Sequence, residues 1–136
     1  MNTVDCIKTR RSIRNYKEEQ IPQDVINEVV ELARFAPSWK NTQITRYIAV
    51  EGALKDQIAT ECTSLYPGNG QHIMGAPMLI AITILKNRCG YERDGSFTTP
   101  RKDTWQMFDA GIASQTFCLA ACENGLGTVI MGIFDE

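Results

Sequence analysis

The sequence "MLIAITIL", residues 78–85, decides the predicted fold. It is continuously apolar and rich in β-branched residues, which is typical of a central strand covered on both faces. A second strand is predicted over residues 46–50, "RYIAV", and a third in "LGTVIMG", residues 126–132. Three apolar segments of this kind predict one sheet, and the segments between them provide the elements that pack on it.

Helical patterns fill most of the remaining chain. They are predicted over residues 3–9, from Pro22 to just before Pro37, over residues 53–66, where "PGNG" ends the helix, and over residues 104–124. Pro22 suits a first helical turn, and Asn124-Gly125 is a C-terminal stop. The order α-α-β-α-β-α-β predicts a single α/β or α+β domain over residues 1–136, with a mixed central β-sheet flanked by helices.

The last helix is apolar over most of its circumference, as "MFDAGIASQTFCLAA" (residues 107–121) indicates. Such a helix lies either at the centre of a domain or in an interface between copies. In a chain of 136 residues we expect both at once, and therefore a homodimer.

Composition excludes several classes of function. The net charge of −2 provides no basic excess for a nucleic acid or a membrane surface. No apolar run reaches membrane-spanning length, and the first residues lack the apolar region of a signal peptide, so we expect a cytoplasmic protein. The five cysteines contain no CxxC pair and are interpreted as reduced core residues. The i, i+4 spacing of Cys118 and Cys122 also invites a metal or redox interpretation, although we predict no metal site.

A basic turn near the start of the chain, "TRRSIRNYKEEQIP" (residues 9–22), concentrates positive charge in a slightly acidic protein. Arg10, Arg11, Ser12 and Arg14 offer guanidinium groups, a hydroxyl and backbone N–H groups, which is the donor set that phosphate requires. On an extended backbone Arg10, Ser12 and Arg14 share one face, with Ile13 turned inward. The alternative is a solvated basic turn that balances the acidic residues after it.

A polar loop, "APSWKNTQ" (residues 36–43), follows the second helix directly. It can offer donors and acceptors from a rigid position, or it is an ordinary loop. The segment 86–102 is long for a compact domain, which favours a functional or mobile loop. His72 stands alone without a catalytic partner pattern, and "GNG" at residues 68–70 is not a dinucleotide fingerprint, because we expect it between a helix and a strand.

Four motifs in order resemble the FMN-dependent nitroreductase family. They are "RRSIR…Y" with "APSxxNxQ", then "MGAPMLIAI", then "WQMFDAGIASQTFCLAACENGLGT", and finally "GLGTVIMGIF". The resemblance extends from Cys6 to Phe134. It implies a nitroreductase-like fold, FMN as the cofactor, and a homodimer whose two sites lie across the subunit interface.

The resemblance also implies which residues bind FMN. The basic turn would bind FMN through Arg10, Arg11, Ser12 and Arg14. The first of these residues would meet the phosphate, and Arg14 would lie nearer the pyrimidine side of the ring. The loop would approach the flavin of the other subunit through Pro37, Ser38, Trp39 and Asn41. Backbone atoms along the isoalloxazine edge would come from Ile130, Met131 and Gly132. Asn69 is a further candidate, and Trp39 replaces a residue that is commonly small in the family.

The implied activity is an oxidoreductase that uses NAD(P)H to reduce nitroaromatics, quinones or similar small aromatic acceptors in a ping-pong cycle. No catalytic nucleophile is predicted, because the flavin carries the reaction. The alternatives are a non-catalytic flavin-binding protein, an inactive shortened form, and a dehalogenase or flavin-destructase branch of the same fold. The family pattern also implies a further helix, strand and C-terminal arm beyond residue 134.

Overall fold

A computed structural model describes residues 2–136. Within these residues the helices are α1 (Thr3–Thr9), α2 (Gln23–Ala33), α3 (Gly52–Glu61), α4 (Pro67–Gly75) and α5 (Thr104–Glu123). The strands are β1 (Thr45–Val50) and β2 (Leu79–Ile84), and a short 3₁₀ turn covers Trp39–Asn41. The expected α+β class is confirmed, as are the approximate bounds of α1, α2 and α5.

Helix α5 lies at the centre, where it contacts α1, α2 and both strands. One stripe of the helix packs against α2, and the core cluster consists of Val29, Ala33, Phe117, Ala120 and Ala121. The ring of Tyr47 on β1 stacks on Phe117 with the ring centroids 5.1 Å apart. The helix is thus held by the sheet on one side and by α2 on another.

Part of α5 remains uncovered in the single chain. Met107 is 63% exposed and Phe108 is 59% exposed, and Phe35 just after α2 is 75% exposed. Large apolar side chains at such exposure are typical of a surface that meets another molecule. The central position of α5 is thus observed, whereas its predicted role in an interface between copies stays a prediction.

The sheet is smaller than predicted. Strands β1 and β2 form an antiparallel pair in which Tyr47 faces Ile82 and Ile48 faces Ala81. The strand predicted over residues 126–132 is represented only by one isolated parallel bridge, between Ser12 and Thr128. Strand β2 has a single neighbour among the described residues, so the prediction of a central strand is wrong for this part of the chain. No residue of β2 is fully buried and Ile82 is 36% exposed, so the predicted cover on both faces is not found either.

The predicted helix over residues 53–66 is also corrected. Helix α3 ends at Glu61, and "PGNG" does not stop a helix but opens α4. Pro67 takes a first-turn position, where its missing N–H is not needed. Gly70 lets α4 approach α3 closely, since a Cβ at this position would lie 2.5 Å from the carbonyl oxygen of Ala59. The "GNG" sequence therefore lies within α4, and its second glycine packs against α3.

Two further properties concern function. No helix within residues 2–136 combines the length and the apolar character that crossing a bilayer requires. In the same part of the chain, no three or more His, Cys, Asp or Glu side chains are gathered in a way that could hold a metal ion.

Candidate cofactor site

The basic turn is held against the segment that follows α5. The backbone N–H of Ile13 donates to the carbonyl oxygen of Thr128 at 2.9 Å, which closes the Ser12–Thr128 bridge. Gly127 provides the space for this contact, because a Cβ there would come within 3.0 Å of Ile13 Cγ1. Ile13 lies against Gly127 but is still 38% exposed, and Ser12 is exposed as well, so the predicted inward turn of Ile13 is not complete in the single chain.

The arginines of the turn differ in their availability. Arg11 Nη1 donates to the carbonyl oxygens of Lys8 and Arg10, both at 2.8 Å. Arg14 Nη1 lies 3.5 Å from the carbonyl oxygen of Ser12. The side chain of Arg10 forms no hydrogen bond or ion pair with any residue in the described part of the chain. Arg10 and the Ser12 hydroxyl are therefore the groups best placed to take up an anion without breaking an existing contact.

The segment 130–132 follows this bridge and has no regular secondary structure. Ile130 is 62% exposed. Beyond it, Asn69 Nδ2 on α4 donates to the carbonyl oxygen of Ile133 at 2.9 Å, and the N–H of Asp135 donates to Cys62 O at 2.9 Å. The segment is therefore fixed at both ends, near the basic turn. We call Arg10, Arg11, Ser12, Arg14, Ile130, Met131 and Gly132 the turn group.

The loop after α2 has an unusual backbone. Lys40, Asn41 and Gln43 have φ angles of 45°, 52° and 50°, a left-handed conformation that costs about 1–3 kcal/mol for residues other than glycine. Inside the loop, the N–H of Gln43 donates to Ser38 Oγ at 3.0 Å. Thr42 Oγ1 donates to the carbonyl oxygen of Trp39 at 2.9 Å. These bonds define the shape of the loop, and we call Pro37, Ser38, Trp39 and Asn41 the loop group.

A buried carboxylate on α5 ties this loop to the core. The N–H of Trp39 points between both oxygens of Asp109, at 3.1 Å from Oδ1 and 3.0 Å from Oδ2. Cys89 Sγ donates to Asp109 Oδ2 at 3.1 Å, and both Cys89 and Asp109 are buried. Burial, together with the hydrogen bond to Asp109 and its charge, raises the pKa of Cys89 to about 12, so the thiol is protonated at neutral pH.

Sequence reasoning missed Asp109 and Cys89. The available signal was a single acidic residue within an otherwise apolar helix, since a carboxylate in such a position needs specific partners. The partners themselves come from residues 39 and 89, far away along the chain, so no local motif connects them.

The face of Trp39 is also occupied. Lys40 Nζ lies 4.5 Å from the centroid of a Trp39 ring and 2.9 Å from Glu92 Oε1. The hydrogen bond from Lys40 lowers the pKa of Glu92 below its usual value. Glu92 belongs to the segment 86–102, so this long segment contacts the loop after α2 at Lys40, beside Trp39 of the loop group.

The turn group and the loop group are not brought together within one chain. The loop group contacts α5 at Asp109, whereas α1, which leads into the basic turn, contacts α5 through a Cys6 Sγ to Glu123 Oε2 bond of 3.1 Å. Asp109 and Glu123 are 14 residues apart on the helix, or roughly 21 Å at about 1.5 Å per residue. The predicted site residues thus form two separate halves.

The groove between α2 and the sheet has a volume of about 420 Å³ and is lined by other residues, among them Ile26, Tyr47 and Ile80. None of the predicted site residues lines it. A second depression of about 290 Å³ lies beside Lys55 and also contains none of them.

Comparison with known proteins decides the family. The model of the nitroreductase family matches residues 7–136. This chain belongs to the nitroreductase family. The nitroreductase family protein of Clostridium novyi has the same fold, with a TM-score of 0.80 and 27% identity over 100% of this chain and 72% of that one. An FMN-dependent nitroreductase of Clostridium difficile superposes with a TM-score of 0.69 and 28% identity, covering 91% of this chain and 62% of that one.

The curated relatives are longer than this nitroreductase-family chain. An FMN reductase [NAD(P)H] of Bacillus subtilis is 27% identical over 136 residues, which is 95% of this chain and 53% of that protein. A relative from Methanothermobacter thermautotrophicus is 28% identical over 134 residues, and the match covers 62% of its length. The chain therefore spans between about half and three fifths of these two relatives.

Proposed function

We propose that this chain binds FMN and acts as an NAD(P)H-dependent oxidoreductase. The reaction takes two electrons from NAD(P)H and delivers them to a nitroaromatic, a quinone or a similar flat acceptor, in ping-pong order. Membership of the nitroreductase family supports the oxidoreductase class. The observation that carries the proposal is the division of the predicted cofactor-binding residues into two halves at opposite ends of α5.

The turn group fits the anionic end and the ring edge of the cofactor. Arg10 and Ser12 supply a charged donor and a hydroxyl that make no competing side-chain contact within residues 2–136. Arg11 would have to exchange two backbone carbonyl contacts for the phosphate, and Arg14 would reach the pyrimidine side. Backbone N–H and carbonyl groups of Ile130, Met131 and Gly132 would meet the ring edge; Ile130 and Gly132 are exposed and Met131 is half-buried.

FMN, when bound, supplies the redox chemistry, and the protein's task is binding, orientation and electrostatics. Positive charge from Arg14 near the pyrimidine would stabilise the electron-rich ring. No side-chain nucleophile is required, which agrees with the position of His72 on α4, outside both groups. Trp39, half-buried in the loop group, would border the acceptor position from the partner chain.

A complete site then requires two chains. The loop group of one copy would approach the turn group of the other, as the family resemblance implies. The exposed side chains of Phe35, Met107 and Phe108 provide apolar area for such an interface. An obligate dimer of this kind buries more than about 2,000 Å² in total.

Visible absorption of the purified protein, or of protein incubated with FMN, tests the proposal. We expect flavin bands that NADH or NADPH bleaches without oxygen and that an added quinone restores. Bands that NAD(P)H leaves unchanged would instead support a non-catalytic flavin-binding protein. A protein that takes up no FMN would contradict both.

A matched pair of variants tests the phosphate assignment. Replacing Arg10 and Ser12 with alanine removes charge-assisted hydrogen bonds worth about 1.5–3 kcal/mol each, so FMN should dissociate at least tenfold more readily. Arg34→Ala is the control, because Arg34 is an exposed arginine outside the basic turn that pairs with Glu31 on α2. Equal FMN affinity in both variants would show that the basic turn is only a solvated surface. Light scattering of the FMN-bound protein tests the dimer, and a monomer that retains FMN would contradict it.

A further inference from the structure

We propose that Asp109 and Cys89 are positioning residues, a buried pair that fixes the backbone of Trp39 and so holds the loop group in the conformation that meets the cofactor. This inference rests on the proposed function and names residues that the family resemblance did not supply. Neither residue is proposed to touch the flavin.

The first argument is geometric. The N–H of Trp39 lies 3.1 and 3.0 Å from the two Asp109 oxygens, so the carboxylate is aligned along this one N–H. A hydrogen bond from a backbone N–H to a carboxylate is stronger and more directional than one between neutral groups. Asp109 itself sits on the central helix α5 and is only 2% exposed, so the anchor point is rigid.

The second argument is the strain of the loop. Three of its residues, Lys40, Asn41 and Gln43, have left-handed φ angles. Such conformations persist only where the surrounding structure over-determines them. The internal bonds of the loop fix its shape, and its polar links to the rest of the described chain include Trp39 to Asp109 and Lys40 to Glu92. The carbonyl oxygen of Gln43 also accepts from Arg46 on β1 at 2.7 Å, so Asp109 is the buried link that reaches the loop from helix α5.

The third argument concerns Cys89. Its thiol donates to Asp109 Oδ2 at 3.1 Å, and its sulfur also contacts the hydroxyl of Thr42 in the loop. Cys89 therefore lies between the carboxylate and the loop and restricts the position of both. The elevated thiol pKa, about 12, keeps the proton that this bond requires across the physiological range.

The fourth argument is the cost of the arrangement. Asp109 forms no ion pair with any residue between 2 and 136, and a buried carboxylate without a cation is expensive compared with an apolar residue. Most of the other buried positions of α5 carry apolar residues, so an apolar residue would be the ordinary choice at position 109 as well. A carboxylate here is explained by the N–H and S–H groups that it holds in place.

The decisive variant is Asp109→Asn, which preserves size but removes the charge. We expect amide hydrogen exchange of the Trp39 N–H to accelerate, and the FMN dissociation constant to rise, each by about tenfold, the difference between a charge-assisted and a neutral hydrogen bond. Cys89→Ala should produce a smaller change of the same kind, about two- to threefold, because Asp109 keeps its bond to Trp39.

Val29→Ala is the matched control. Val29 is fully buried in the α2–α5 core, in a cluster that contains Phe117 and no residue of the loop group. It should lower the unfolding midpoint at least as much as Asp109→Asn, while leaving Trp39 exchange and FMN affinity unchanged. A purely structural role for Asp109 would make the two variants behave alike, and that result would overturn the proposal.

The exchange and affinity measurements separate this inference from the proposed function. Faster Trp39 exchange with an unchanged FMN dissociation constant would overturn the link to the cofactor. Unchanged Trp39 exchange in Asp109→Asn would overturn the anchor itself. If the wild-type chain takes up no FMN, the proposed function fails, and the link to the cofactor fails with it, while the exchange of Trp39 in the apoprotein still decides whether Asp109 anchors the loop.

Discussion

Replacing Gly127 with alanine should displace the basic turn while the domain stays folded. The added Cβ would lie 3.0 Å from Ile13 Cγ1 and 3.1 Å from both Ile13 Cβ and Cγ2, whereas carbon atoms prefer about 3.5–4.0 Å. The overlap is therefore several tenths of an ångström at three atoms. Gly127 does not have a left-handed φ, so the substitution adds no backbone strain, and the effect comes from this contact alone.

The turn should give way before the core does. Overpacking of this kind costs about 1–3 kcal/mol in a rigid environment. Ile13 is 38% exposed, and the bond from its N–H to Thr128, worth about 0.5–1.5 kcal/mol, is its backbone link to the segment after α5. A second bond, from Tyr16 Oη, lies within the turn and can move with it. The strain is therefore relieved by moving Ile13 together with Ser12, which the proposed function assigns to the phosphate. If about 1.4–2.8 kcal/mol of FMN binding is lost, the dissociation constant rises ten- to a hundredfold.

Titration of the apoprotein with FMN, followed by quenching of flavin fluorescence, measures this change. Gly75→Ala serves as the control, because nothing lies within 4 Å of the added Cβ at the end of α4. The unfolding midpoint of Gly127→Ala should fall by only a few degrees, since the core cluster is untouched. An unchanged dissociation constant would refute the reasoning, because it would mean either that Ile13 moves without the turn or that the turn does not bind the cofactor.

Three further predictions concern other parts of the molecule. Gly90→Ala should destabilise the protein by more than about 2 kcal/mol in urea denaturation, because a left-handed φ of 88° adds to a clash between the new Cβ and the carbonyl oxygen of Lys102. Gly95→Ala carries only the cost of its φ angle, and equal losses in the two variants would contradict this prediction. The free energy of unfolding should fall as the pH rises from about 9 to about 12, because burial raises the pKa of Cys6 to about 11 and that of Cys89 to about 12. Over this range the native thiols keep protons that the unfolded chain releases. The urea midpoint should therefore fall less steeply with pH in Cys89→Ala than in the wild type. Trp39→Ala should change kcat/KM for quinones and nitroaromatics while FMN content and the NAD(P)H half-reaction stay intact; loss of flavin with unchanged acceptor preference would show that Trp39 is structural.

The parts of the fold that the sequence predicted correctly are those whose signals are local. The apolar spacing after Pro22 and the length of the pattern before Asn124 define α2 and α5, and both helices lie within a few residues of the predicted bounds. Periodicity of this kind depends only on neighbours along the chain.

The errors arose where a residue's effect depends on what lies beside it in space. Pro67 and the glycines after it were interpreted as a stop, yet Pro is equally suited to begin a helix, and only the close approach of α3 to Gly70 distinguishes the two. The apolar run of β2 predicted a central strand covered on both faces. Within residues 2–136 only β1 pairs with it, and no β2 residue is fully buried, because both properties depend on segments that are distant along the chain.

The candidate site shows the same division between local and distant signals. The basic turn and the polar loop were recognisable as short motifs, but their separation along α5 and the Asp109 anchor between Cys89 and Trp39 emerge only from the folded chain. This separation has a physical consequence for the proposed function. If each half-site comes from a different copy, the cofactor binds only to the assembled form, and by mass action FMN then stabilises the assembly as much as the assembly stabilises FMN. A loop whose strained backbone is held by a rigid helix suits such a site. Each copy must present its loop group in the binding conformation before it meets the turn group of the other copy.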